Sequence, residues 1–419
     1  MELKRKSIKG MTLALLMLIA AMAGCIGTED ETTEEAEETK AAFLDASDAG
    51  YTYASNVDNH RSLMQDLCDI KTAASDSNWD EAKNIYTNGK NAEKSDGSFR
   101  TLAGFAAAEG KNHNYDTFYN QTGAIGAHIM AAMDGTGDFE GASDTVRYQG
   151  IAKLTANMGM VGYTIHELNA AVAKADAGNT DNDSGAPHNW DEGWAFFHGP
   201  DEHWSCSPAY TMKKRAADYG TETNGVSNAL AASEQAMVDG LAALQAGDEA
   251  GYDAATETVI KNIIITYSQA TLKYTMKMDS NESAAKYQAE GYAFWKTMEA
   301  YAAPYTDGCY NMQVHKVFMM GDIDASTCDA FMWTQHQGQG DFMCYNTVTH
   351  QVSTDVSDET ECDGYSNATF MDMYGADKIN EILNLKDASK HGTSYDIAPH
   401  LERVWAHYGI TAEDIGTYQ

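Results

Sequence analysis

Thr145–Asp176, TVRYQGIAKLTANMGMVGYTIHELNAAVAKAD, is the longest stretch of the chain with a single periodicity. Ile151, Leu154, Met158, Val161, Ile165, Leu168 and Val172 recur every three or four residues, the spacing that lines one side of an α-helix. Outward from it, the same period predicts helices over Ser227–Ala246, Thr256–Met278 and Ser283–Ala302. Asn78 or Asp80 caps a helix over Asn78–Tyr86, and Thr101–Glu109 reads as a short Ala-rich helix. Pro187 opens a further helix that Gly199-Pro200 ends. Asn88–Phe99 and Gly178–Gly185 are turn-rich. Pro304–Thr369 is rich in Cys, Gly, Asp and Thr and loses the helical period, so short strands are expected there before helix returns at Phe370–Leu385 and Ile397–His407. The expected fold is mainly α. It is a helical bundle over residues 42–305 built from two similar helix–loop–helix units, with an irregular disulfide-bearing C-terminal segment, 306–419, packed on the same domain.

The two units show as a repeat. Glu192-Gly193-Trp194-Ala195-Phe196-Phe197 is echoed by Glu290-Gly291-Tyr292-Ala293-Phe294-Trp295, each opening a helix that follows a long helix and a polar loop. Aligning Lys174-Ala175-Asp176 on Lys277-Met278-Asp279 sets His166 opposite Gln269. Each copy thus pairs a polar residue inside one helix with a glutamate near the start of the next.

The chain has 419 residues, 43% of them hydrophobic, enough for a sizeable core. Against 28 Lys+Arg stand 62 Asp+Glu, a formal charge of −34. Such a surface repels phosphate backbones, which argues against a nucleic-acid partner, and it concentrates cations. Residues 1–24 read as an export address: Lys4, Arg5, Lys6 and Lys9 precede the apolar Met11–Met22, and Met22-Ala23-Gly24-Cys25 forms a lipobox. Cleavage there leaves Cys25 to carry a lipid that holds the protein at the outer face of a membrane or in the periplasm; an ordinary signal peptide or an uncleaved anchor is the alternative. Residues 25–41, acidic and without aromatic residues, read as a disordered tether. The other cysteines, Cys68, Cys206, Cys309, Cys328, Cys344 and Cys362, are an even set in an exported chain and imply disulfides, with 15 possible pairings.

A buried carboxylate must be neutral, hydrogen-bonded or bound to a cation. Glu192 and Glu290 each lead into Gly-aromatic-Ala-aromatic-aromatic, so each stands at the edge of an apolar helix. Facing helices that offer carboxylates and imidazoles build metal sites in bundles, and a carboxylate, imidazole and phenolate set suits Fe(III) or Mn. The competing readings are helix caps for the glutamates and an ordinary core residue for His166. His188 lies four residues before Glu192 and shares its face. His198, Asp201, Glu202 and His203 read as an exposed polar loop. His166-Glu167-Leu168-Asn169-Ala170 is not H-E-x-x-H, and no nucleophile elbow, phosphate loop or dinucleotide fingerprint occurs.

Several segments together resemble the algal low-iron-inducible periplasmic protein family, the Fea domain to which phytotransferrins are related. They are Trp79-Asp80-Glu81-Ala82, Ile85–Asn91, Arg100-Thr101-Leu102, Tyr163–Ala173, Gly185–Gly199, Tyr267–Tyr274 and Ala289–Trp295. The resemblance implies iron assimilation by a surface-held exported protein that captures Fe3+ or Fe2+ and passes it to an iron permease. It implies metal ligands at His166, Glu192, Gln269 and Glu290, with Tyr86, Tyr163 and His188 as further candidates. Arg100 is placed to hold an anion such as carbonate. The lipobox departs from the algal members. The expected role is therefore binding rather than catalysis. The alternatives are an exported metal-dependent hydrolase using the same residues around a bound water, and a cell-surface interaction or sugar-binding module whose acids are structural.

Overall fold

The computed structural model describes residues 47–106, 114–311, 316–318, 328, 330–335, 342–348, 350, 352–353, 356, 358–365 and 369–419. The export address, Cys25 and the acidic tether lie outside the described residues. The longer helices are α1 (Asp58–Ser75), α2 (Trp79–Asn88), α3 (Ala124–Asp134), α4 (Asp144–Lys153), α5 (Met160–Asp176), α6 (Ala186–Phe197), α7 (Pro208–Tyr219), α8 (Asn228–Ala246), α9 (Glu249–Met276), α10 (Ala284–Ala302), α11 (Tyr374–Ile382) and α12 (Ala398–His407). None of the described helices is long and apolar enough to cross a membrane.

The decisive stretch is helical throughout but is not one α-helix. Ser143 caps α4 by accepting the Val146 N–H, and the apolar period then runs through a π-helical turn, Leu154–Gly159, into α5. The wider turn re-phases the faces by roughly 100°, the arc of one residue. Asn157 occupies it: its amide donates to Lys153 O, and its carbonyl accepts from Tyr267 and Thr211. α9 begins at Glu249, seven residues before the expected Thr256, because Asp248 caps it through the Gly251 N–H. α11 starts only at Tyr374, since Met373 before it has φ +47°, and Thr369–Met371 is a strand rather than the start of that helix.

Both copies of the repeat are helix–loop–helix hairpins, α5–α6 and α9–α10. Trp190, Trp194, Phe196, Phe197 and Trp295 from the two second helices are fully buried in one core. α8 crosses α6 at Gly240, where a Cβ would lie 2.2 Å from the Trp190 ring and 2.9 Å from Ala255 Cβ. The absence of a side chain there lets Trp190 donate its indole N–H to Met237 O at 2.8 Å and fixes the roll of α6.

The C-terminal segment contains two three-stranded antiparallel sheets. Cys309–Cys328 and Cys344–Cys362 are its disulfides, and with Phe331 these cysteines form a small separate core. The third bond, Cys68–Cys206, joins α1 to the turn before α7. The terminal helices lie against the second hairpin: Trp405 donates to Ser268 Oγ, and Tyr408 to Tyr301 O.

Candidate metal centre

The start of α6 is anchored from below. Asp191 accepts hydrogen bonds from Tyr51 Oη (2.7 Å), Ala54 N (2.9 Å), Ser55 N (2.8 Å) and Ser55 Oγ (2.9 Å). Burial pushes this carboxyl up to about 7, and those bonds hold it back. The Ser55 proton is thereby committed to Asp191, so Ser55 Oγ can only accept from His188 Nδ1, 2.8 Å away. With Nδ1–H given to Ser55, it is Nε2 that faces the cluster; its proton goes to Glu192, and loss of that proton would turn its lone pair toward a metal.

His188 Nε2 faces Glu192 Oε1 at 3.2 Å, and His60 Nε2, from α1, reaches the same oxygen at 3.3 Å. Burial disfavours a charged His188 ring, but its hydrogen bond to Glu192 and the charges of Glu192 and Asp191 outweigh that and raise its pKa. The Asn189 amide nitrogen links two carboxylates, donating to Glu167 Oε2 at 2.5 Å and to Glu192 Oε2 at 3.3 Å. Glu167, on α5, is 1% exposed. His166 Nε2 stands 3.9 Å from Glu167 Oε1. One turn back on α5, the buried Tyr163 phenol is held well above its usual range by burial, then by Tyr86 and Glu167. Phe105 and Phe196 wall the cluster, both rings packing on His60 and on Tyr163.

Two buried polar atoms here, Tyr86 Oη and Asn189 Oδ1, have no hydrogen-bond partner among the described residues. A lone amide oxygen and a lone phenol beside carboxylates and imidazoles are groups that a bound cation could use. Among the described residues, however, no three His, Cys, Asp or Glu side chains form a preformed metal cage. In the conformation described, Glu192 Oε1 is itself the point on which both imidazoles converge, and a metal would have to displace those hydrogen bonds.

The structure brings together His166, Glu192, Tyr163 and His188, with Tyr86 behind them. It does not bring Gln269 or Glu290 to them. The Gln269 amide donates to Ile415 O at 2.8 Å and Thr221 Oγ1 at 3.3 Å, because the chain's last turn packs on α9 at that point. Glu290 meets Lys286 at 3.9 Å and shares its field with Lys153 and Tyr274. The expected meeting of the two hairpins at one point is therefore corrected. The copies instead differ by chemistry at matched spacing. His188 precedes Glu192 by four residues and Lys286 precedes Glu290 by four, so the second glutamate faces an ammonium where the first faces an imidazole. Arg100 lies in the segment that leads into the short helix Leu102–Ala106, which carries Phe105.

His60, Glu167, Asn189 and Ser55 were not expected. Glu167 had a signal: it follows Tyr163 by four residues, as Glu192 follows His188, so each pair shares a helix face. His60 and Ser55 had none, since they sit more than 100 residues away in sequence and only the tertiary fold delivers them.

The sequence pattern of the low iron-inducible periplasmic protein family matches residues 16–329. The chain belongs to this family. No curated protein and no solved structure matches it. The matched range takes in every residue of the cluster and both hairpins, and stops within the Cys-rich segment. Membership of this low iron-inducible periplasmic family puts the chain among exported proteins and makes iron relevant to it.

Proposed function

We propose that this member of the family captures iron as cargo at the Glu192 cluster, for uptake into the cell. The observation that carries the reading is the convergence of His60 and His188 on the Glu192 carboxylate, beside Glu167 and the lone acceptor Asn189 Oδ1. His60, His188, Glu192, Glu167 and Tyr163 would hold the ion, with His166 at the edge. Their carboxylate, imidazole and phenol groups suit Fe(III), and the six cysteines of the described region are consumed in disulfides, leaving no thiolate to favour a softer metal. An anion such as carbonate at Arg100 and transfer to a permease belong to the same proposal and rest on the resemblance. The anchor at Cys25 rests on the lipobox.

The test is a ferric titration of the purified full chain against a competing chelator, with Glu192→Gln and Glu290→Gln. Glu192→Gln keeps the shape and removes the charge, and is expected to weaken binding by about 100-fold or more, the upper range seen when groups supporting a metal are removed. Glu290→Gln is expected to bind as the parent does. Equal affinities in the parent and Glu192→Gln would defeat the assignment.

A further inference from the structure

Two cations, from α7 and α4, gather against the second hairpin in a chain of formal charge −34. Arg215, on α7, is 6% exposed; its Nη2 pairs with Asp218 at 3.0 Å. Asp218 is shared, because Lys273 Nζ also reaches it at 2.7 Å. The other two nitrogens of the Arg215 guanidinium, Nε and Nη1, are buried and make no hydrogen bond of ordinary geometry among the described residues; the Tyr274 phenol beside the guanidinium interacts with both Arg215 and Glu290. Lys153, at the end of α4, has no carboxylate within ion-pair distance among them either. Both cations lie against the Phe294 ring, 5.9 Å and 5.8 Å from its centroid, and Arg215 also lies over Tyr274. Besides Asp218, Glu290 is the acid that acts on Lys153, and it is already shared with Lys286. Burial pulls the Lys153 ammonium down to about 8; Glu290 opposes this, while Lys71, Arg215 and Lys214 add to it.

Desolvated guanidinium donors without good acceptors are costly to keep, and repulsion between the buried guanidinium and the half-buried Lys153 ammonium adds to the cost. A small oxyanion removes both penalties, since its oxygens accept from Nε and Nη1 and its charge offsets Lys153. We infer that the place where α4 and α7 pack on the second hairpin is a binding site for a small divalent oxyanion of the sulfate, phosphate or carbonate class, seated on Arg215 with Lys153 as its counter-charge. This inference stands apart from the iron proposal.

The experiment is calorimetric titration of the full chain with sodium sulfate at low ionic strength, sulfate being chosen because it does not titrate near neutrality. Phosphate and bicarbonate form separate arms that rank the class. One saturable site is expected. Arg215→Met and Lys153→Met should each weaken it at least tenfold, while Lys83→Met, at an exposed ion pair with Asp134, should not change it. Affinity should fall as pH rises above about 8 in the parent and stay flat in Lys153→Met. Without sulfate, Lys153→Met should melt higher than the parent, because it deletes an uncompensated charge; a structural cation would show the reverse. Absence of saturable binding, or equal affinity in the parent and both variants, overturns the inference.

Discussion

Glu192 accepts from two rings because Ser55 fixes one of them. With Asp191 holding the Ser55 proton, His188 donates from Nδ1 and points Nε2 at the carboxylate. Ser55→Ala deletes no proposed ligand, yet it frees the ring to turn, and iron affinity measured by chelator competition should drop about 10- to 100-fold. The same ring sets the pH dependence. The His188 pKa is raised in the fold, so its contribution to the stability of the iron-free protein is complete below about 6.5 and fades as pH rises through the folded value. Iron must displace that proton, so binding runs the other way. Affinity measured at pH 5.5 and 7.5 should be weaker at the lower value by roughly tenfold for each proton displaced per pH unit, and pH-independent affinity would exclude His188 as a ligand. At this scale the sequence spoke through i,i+4 pairs. His188–Glu192 could be read directly, and Tyr163–Glu167 was readable by the same rule. His60 could not be, because an isolated histidine on α1 carries no local pattern that distinguishes it.

The α6 helix, which presents His188, Asn189 and Glu192, is seated by its neighbours rather than by its own caps. Gly240 on α8 gives Trp190 the room to bond Met237 O. Gly240→Ala drives a methyl into the Trp190 ring and Ala255. It should destabilise the fold by about 1–3 kcal/mol in chemical denaturation, the usual cost of overpacking, and should weaken iron binding by tilting α6; unchanged denaturation would show that α8 can shift away. Helix existence was readable wherever apolar residues recur at three and four, as in α5, α8 and α10. The π turn at Leu154–Gly159 was not, because an inserted residue leaves the apolar period nearly intact while Asn157 takes up the strain through tertiary hydrogen bonds. The early start of α9 was hidden for another reason: Glu249–Ala255 has only one large apolar side chain, Tyr252, and contains Gly251, so the Asp248 cap and not periodicity begins that helix.

Across the molecule, two similar hairpins are given separate surroundings by packing. The first hairpin meets α1, which the Cys68–Cys206 bond ties to the turn before α7, so His60 is held over Glu192 by a covalent clasp spanning 138 residues. The second meets α7, the terminal helices and the chain's last turn, which occupy Gln269 and leave Glu290 among lysines. The repeat was visible in sequence, but the polar partners of each copy were not, since they come from segments outside it. The most direct test of the account is an iron-edge anomalous difference map from crystals of the full chain loaded with Fe(III). A peak bonded to Glu192 and to the imidazoles of His60 and His188, with none at Glu290, is the predicted result. A peak at another set of side chains, or loaded protein in which His60 and His188 still hydrogen-bond Glu192 with no metal between them, would contradict it.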